Sequence, residues 1–148
     1  ETTEWAMLLN QAGYYLHQQG RYAEAEPLYE RSLQIDEQQL GAAHPDVATS
    51  LNNLAHLYQA QGRYADAEPL YARSLQISEQ QLGSAHPDVA TSLNNLAALY
   101  QSQGRYAEAE PLYTRSLAIC EAILGAKHPN TITIRRNLRH LQTKQHSP

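Results

Sequence analysis

One segment of this chain returns at a fixed interval of 42 residues. "HPDVATSLNNLA" begins at His44 and again at His86, and an altered copy, "HPNTITIRRNLRHL", begins at His128. Residues 45–86 and 87–128 are identical at 32 of 42 positions, and residues 3–44 match 45–86 at 25 of 42, with most differences in the first half. A partial fourth copy starts at Pro129. A period of this length confines the chain to a stacked array, in which no unit buries its own apolar face and each must lean on a neighbour. The organisation expected is one domain over 1–148, made of repeats at 3–44, 45–86 and 87–128 and a partial, capping repeat at 129–148.

Each repeat reads as two helices. In "PDVATSLNNLAHLYQAQ", Val47, Leu51, Leu54, Ala55 and Tyr58 recur at helical spacing. Pro45 suits the first helical position, Asp46 the positive end of the helix dipole, and Gly62 the stop. The second helix, "RYADAEPLYARSLQISEQQL", sends Tyr64, Ala67, Leu70, Tyr71, Leu75 and Ile77 toward a partner and closes at Gly83. Pro27, Pro69 and Pro111 fall about six residues into these second helices, where proline removes a backbone hydrogen bond. Either the helix begins late or it carries a kink; the apolar period continues across the proline, which favours the kink. In the last helix, Ile132, Ile134, Leu138 and Leu141 are expected to dock inward, with Arg135, Arg139 and Lys144 keeping the outer face wet.

The stretch "LNNLAHLYQAQGRYADAEPLYARSL" resembles the tetratricopeptide repeat, with small Ala55 and Ala67, the Gly62 turn, and Tyr58, Tyr64 and Tyr71 at the pattern's places. The first repeat also has the signature glycine, Gly13. The eight residues beyond the usual tetratricopeptide length, with "HPDVA" and "LNNLA", look like the 42-residue subtype of kinesin light chains and similar bacterial proteins. The resemblance implies an all-α, right-handed superhelical solenoid of antiparallel helix pairs, whose first helices line a concave groove.

That groove gives the paired asparagines a reading. Asparagine is a poor helix former, yet Asn52-Asn53 and Asn94-Asn95 sit in mid-helix. A second stripe, beside the apolar one, holds Thr49, Asn53, His56 and Ala60 in repeat two and Thr91, Asn95, Ala98 and Ser102 in repeat three. It holds Met7, Gln11, Tyr14 and Gln18 in repeat one, and Thr133, Asn137 and His140, with Arg136 alongside, in the last helix. These stripes fall where the resembled family holds ligands, so Gln11, Asn53, Asn95 and Asn137 would form a ladder of amides. Each carries a donor and an acceptor and could pair with a peptide backbone without reading its sequence. The alternative is that the amides bond between adjacent helices and fix their packing; Asn52 and Asn94 divide between packing and the groove edge. Two differences between repeats two and three, His56 versus Ala98 and Ala60 versus Ser102, lie on the stripe. They are expected to set specificity together with Met7, Tyr14 and Arg136. Four amide rungs at about 0.5–1.5 kcal/mol each cannot meet an association cost of ~4–15 kcal/mol, so apolar anchors must add to them and binding is expected to be micromolar or weaker. The first helices of repeats two and three contain no Lys or Arg. The acidic-peptide specificity of kinesin light chains and the carboxylate clamp of chaperone-binding repeats are therefore not carried over. A neutral, polar segment with one acidic end near Arg136 fits better.

Net charge is −4, unevenly spread: residues 1–121 carry six Arg and fifteen Asp/Glu, and residues 122–148 carry five Lys/Arg and no acid. This body is no nucleic-acid binder, whereas its acidic part and basic end could pair head to tail. Self-stacking, or spacing of flanking domains, is therefore the alternative to peptide binding. No segment approaches the ~20 apolar residues of a membrane span, no signal peptide opens the chain, and a cytoplasmic location is expected. The opening without Met and the ending "QHSP" are expected of a segment of a longer protein. No phosphate loop, nucleophile elbow or zinc-protease motif is present. His44, His86 and His128 belong to turns between repeats. Glu24-Glu26, Asp66-Glu68 and Glu108-Glu110 recur beside Arg21, Arg63 and Arg105 as solvated faces. Cys120 stands where the other repeats have Asp36 and Ser78 and is expected to be partly exposed. The expectation is a protein-binding module with no metal, no cofactor and no enzymatic activity.

Overall fold

The computed structural model describes residues 1–147. Among them are seven α-helices and no strand: α1 (Thr3–Gln18), α2 (Tyr22–Leu40), α3 (Pro45–Ala60), α4 (Tyr64–Leu82), α5 (Pro87–Ser102), α6 (Tyr106–Leu124) and α7 (Pro129–Gln145). They form two compact units, one from Glu1 to Ile77 and one from Ser78 onward, so α4 begins in the first and ends in the second.

The helix starts show what the repeated histidines do. The Nδ1 atoms of His44, His86 and His128 accept the backbone N–H of Asp46, Asp88 and Asn130 at 3.1, 3.0 and 3.1 Å. Each histidine thus takes the N-cap role usually given to Ser, Asp or Asn, with proline following at a position that needs no donor. At the turn inside a repeat, Gly62 has φ of 74°, a conformation that needs a residue without Cβ. The Arg63 N–H then reaches back to the Tyr58 carbonyl at 2.8 Å, the helix-closing bond of a Schellman motif. The same arginine lays its guanidinium 4.0 Å above the Tyr58 ring, as Arg105 does over Tyr100 at 4.1 Å.

The second helices run unbroken through Pro27, Pro69 and Pro111, beginning at Tyr22, Tyr64 and Tyr106, so none begins late. All three prolines are exposed. Hairpins are pinned by a buried serine on each second helix: Ser32, Ser74 and Ser116 donate to the carbonyls of Ala6, Ala48 and Ala90 at 2.8, 3.0 and 2.6 Å. The first unit's core gathers Val47, Ala48, Leu51 and Ile77 with Leu33 and Leu70 against it. The second unit's gathers Ala97, Ala109, Tyr113 and Leu141 with Leu112 and Leu138. Ion pairs link successive second helices within each unit, Arg73 to Glu37 at 2.6 Å and Arg115 to Glu79 at 3.1 Å.

Two sequence expectations are corrected. Ile132 does not dock inward but is 40% exposed. Because α7 starts at Pro129, its buried stripe is Thr131, Ile134 and Leu141, and Ile132 lies a residue's rotation away from it. Cys120 is fully buried rather than partly exposed, and burial raises its thiol pKa. Its repeat equivalents Asp36 and Ser78 are buried too, so this position faces inward in every repeat.

Candidate functional site

In the first unit the polar stripes of α1 and α3 share one side. Met7, Gln11 and Tyr14 are exposed, as are Thr49 and His56, while Asn53 is half-buried between them. In the second unit, α5 presents exposed Thr91 and Ser102 with half-buried Asn95 and Ala98, and α7 presents exposed Arg136 and His140 with half-buried Asn137. The apolar residues one helical step away, Leu51, Leu54, Leu93 and Leu96, are buried. Every residue of the expected stripe is therefore at least partly accessible.

The asparagines do two things at once. Asn53 Nδ2 donates to Asn10 Oδ1 at 3.0 Å, and Asn137 Nδ2 donates to Asn94 Oδ1 at 3.1 Å. The second amide of one repeat thus holds the first amide of the repeat before it, 43 residues earlier, and ties α1 to α3 and α5 to α7. These bonds leave Asn53 Oδ1 and Asn10 Nδ2 with no partner among the described residues. The packing role and a free polar edge coexist on the same side chain, as the four hydrogen-bonding sites of an amide allow.

Other stripe residues are partly engaged as well. The hydroxyls of Thr91 and Ser102 turn back to the carbonyls of Pro87 and Ala98 at 3.3 and 3.0 Å. His56 meets the Tyr71 ring edge-on, its Nδ1 2.7 Å from the Tyr71 hydroxyl, which also donates to Gln59 Oε1 at 2.8 Å. Burial lowers the pKa of His56, with His17 adding to the shift, and burial likewise lowers that of His17. Both shifts disfavour the charged imidazolium.

Two residues were read in the sequence without a role of their own, His17 as a neighbour of the stripe and Asp36 as the counterpart of Cys120. His17 stands where later repeats have Gln59 and Gln101, and Asp36 is a carboxylate at a buried position. Asp36 bonds only the Ser50 hydroxyl, at 2.9 Å, and burial raises its pKa. A comparison of the three repeats position by position isolates both as departures, which is the signal that they carry a role of their own. The expected carboxylate–arginine faces are ion pairs, Arg21 with Glu24, Arg63 with Glu26 and Asp66, and Arg105 with Glu108. Among the described residues no three His, Cys, Asp or Glu side chains gather as metal ligands, and no helix is long and apolar enough to cross a membrane.

The model of the tetratricopeptide repeat matches at residues 5–80, 46–122 and 88–145, which between them cover nearly all of the sequence. The chain belongs to the tetratricopeptide repeat family. Solved structures with the same fold include BtubC (BKLC) from P. vanneervenii, 27% identical, with a TM-score of 0.80 over 91% of this chain and 53% of that one. The nearly identical repeats of a kinesin-light-chain-like protein from Podosopora anserina are 28% identical, with a TM-score of 0.86 over 95% of this chain and 67% of that one. This chain thus spans about half to two-thirds of the length of those two. A further tetratricopeptide structure, the first repeat domain of Spaghetti (RPAP3) bound to the HSP90 peptide SRMEEVD, has a TM-score of 0.71 at 18% identity, over 99% of this chain and 97% of that one. A search of curated proteins gave no significant match.

Proposed function

We propose that this chain is a protein-binding module whose first helices hold an extended segment of a partner. The observation that carries the reading is the half-used amide: Asn53 secures its neighbour through Nδ2 and keeps Oδ1 free at an accessible face. Gln11, Asn53, Asn95 and Asn137 supply backbone-directed bonds, and Met7, Tyr14, His56, Thr49, Thr91, Ala98, Ser102, Arg136 and His140 surround them. Peptide binding by a protein of this fold, the Spaghetti domain with its HSP90 peptide, agrees with the class of function. The exposed guanidinium of Arg136 gives an acidic group of the partner a place on α7.

A random-peptide display library tests this against the native chain and an Asn53→Ala/Asn95→Ala/Asn137→Ala variant of matched helicity. Because the amides also pack, Asn→Asp single variants, which keep the size and Oδ1 acceptor, accompany the triple. Peptides enriched by the native chain, lost by the triple variant and kept by the Asn→Asp variants support the groove, whereas loss in both sets assigns the amides to packing. No enrichment, or equal enrichment throughout, overturns it.

A second reading is favoured by one specific observation. On α1, Trp5, Leu8 and Tyr15 are 47%, 48% and 62% exposed, yet their repeat equivalents Val47, Ser50 and Leu57 are buried. This face of the first repeat has the character of a stacking surface, so association between copies, head to tail, is the alternative role.

A further inference from the structure

The first repeat breaks a hydrogen bond that the later repeats keep. Tyr71 donates to Gln59 at 2.8 Å, and Tyr113 donates to Gln101 at 2.9 Å. Tyr29 is the equivalent of both, but the glutamine is replaced by His17. The His17 ring stands edge-on to Tyr29 with centroids 6.4 Å apart. It makes no hydrogen bond to the phenol. Tyr29 is 1% exposed, and its hydroxyl is buried with no partner among the described residues. An unpartnered buried hydroxyl is costly, and native structures rarely keep one without a use.

A pocket of about 350 Å³ lies at this defect, lined by Tyr14, His17, Gln18, Tyr29, Asn53 and His56. The geometry points to a specificity pocket for the primary carboxamide of an asparagine or glutamine side chain on the bound segment. The inference rests on the groove reading, since Tyr14, Asn53 and His56 belong to the proposed binding face. The chemistry selects the group in three steps. Tyr29 is a donor, and burial pushes its pKa up to about 12, so it stays one at any physiological pH. It needs an acceptor, and an ammonium group has none. No Lys or Arg lines the pocket, and the environment disfavours a charge on either imidazole, so a carboxylate would lose its hydration without a firm compensating charge. A carboxamide offers C=O to Tyr29 and N–H to the free Oδ1 of Asn53 from one planar terminus. A backbone amide carries its donor and acceptor on opposite sides of the chain. The partner's carboxamide thereby replaces the glutamine that repeats two and three supply from within.

Two measurements on the full chain test this. In thermal unfolding, Tyr29→Phe leaves the midpoint unchanged or raises it, because it removes an unpaired hydroxyl. Tyr71→Phe and Tyr113→Phe lower it, and His17→Gln, which restores the internal acceptor, raises it. In the second, the capped tripeptide acetyl-Gly-Gln-Gly-amide is titrated while the backbone amide resonances are followed. Shifts at Tyr14, His17, Asn53 and His56 are expected, at least tenfold weaker in Tyr29→Phe and His17→Gln and with the Glu and Leu tripeptides. A Tyr29→Phe midpoint lowered as far as that of Tyr71→Phe overturns the inference, as do absent shifts or equal response of His17→Gln. Display-selected peptides that still bind His17→Gln as tightly as the native chain leave the groove standing and remove only the pocket.

Discussion

Asp36 shows how far one residue can depart from its repeat. The residue is 7% exposed, and its carboxyl has one neutral partner, Ser50, with Asp46 and His44 the nearby titratable groups. Burial raises its folded pKa above the ordinary 3.8, and Asp46 adds to the shift while Ser50 and His44 oppose it. In the folded state the proton is held more tightly, so this site favours folding at low pH and loses that contribution as pH rises above 3.8. Asp36→Asn keeps the Ser50 bond and removes the charge. It is expected to stabilise the chain at pH 7 by about 1 kcal/mol, the scale of a poorly compensated buried polar group, and the gain should shrink toward zero as pH falls to 4. Denaturant unfolding of both proteins at pH 7 and pH 4 measures it; a gain of equal size at both pH values would remove the electrostatic cause. His17 and His56 act in the opposite sense. Their folded pKa values lie below the ordinary 6.5, so their contribution is present at neutral pH and is lost as pH falls below 6.5. The chain with His17→Gln and His56→Ala, residues borrowed from the other repeats, should lose less stability between pH 7 and pH 5.5 than the native one.

At the scale of the helix, two recurring residues oppose each other. Pro69 sits inside α4 and is exposed, so it removes a helical hydrogen bond without the gain of a buried side chain. Pro69→Ala should raise stability by about 1–2 kcal/mol, less than the ~3 kcal/mol intrinsic difference because proline also restricts the unfolded chain. An unchanged or lower denaturation midpoint would show that the proline shapes the packing. His86 works the other way, capping α5 through Nδ1. His86→Ala should lower stability by about 1 kcal/mol, and His86→Asn, a good cap in its own right, should restore most of it. The helices themselves were legible because their signals are local: the apolar spacing of Val47, Leu51, Leu54 and Tyr58, the proline at the start and the glycine at the end. The amide stripe was legible for the same reason, as spacing on one helix. The pairing of Asn53 with Asn10 was not, because it joins residues on different helices and depends on how closely these approach. Histidine as a cap was missed because propensity favours Ser, Asp and Asn there. The inward turn of Cys120 and the outward turn of Ile132 were missed because one step along a helix swings a side chain through about a quarter-turn, and repeat comparison does not give that rotation.

For the whole chain, the question is whether its ends recognise one another. Trp5, Leu8 and Tyr15 are each about half exposed, and together offer on the order of 300 Å² of apolar surface, or ~8 kcal/mol at ~25 cal/mol per Å². Association itself costs ~4–15 kcal/mol, so this face alone leaves the balance near zero. Charge then decides it. Residues 1–121 sum to −9 from six Arg and fifteen Asp/Glu, and residues 122–148 to +5 from five Lys/Arg, an asymmetry that draws the basic end of one copy to the acidic body of another. Such attraction is screened over roughly 10 Å at 0.1 M salt and 3 Å at 1 M. Trp5 is the sole tryptophan and stands on the face in question, so its emission reports directly on covering. At low ionic strength, raising the protein concentration should shift Trp5 emission to the blue while the light-scattering mass grows, and 1 M salt should reverse both. Arg139→Glu/Lys144→Glu, at exposed positions of α7, should prevent them without a loss of helicity. Emission and mass that stay constant across the whole range would leave the chain a monomer and remove head-to-tail association as its role.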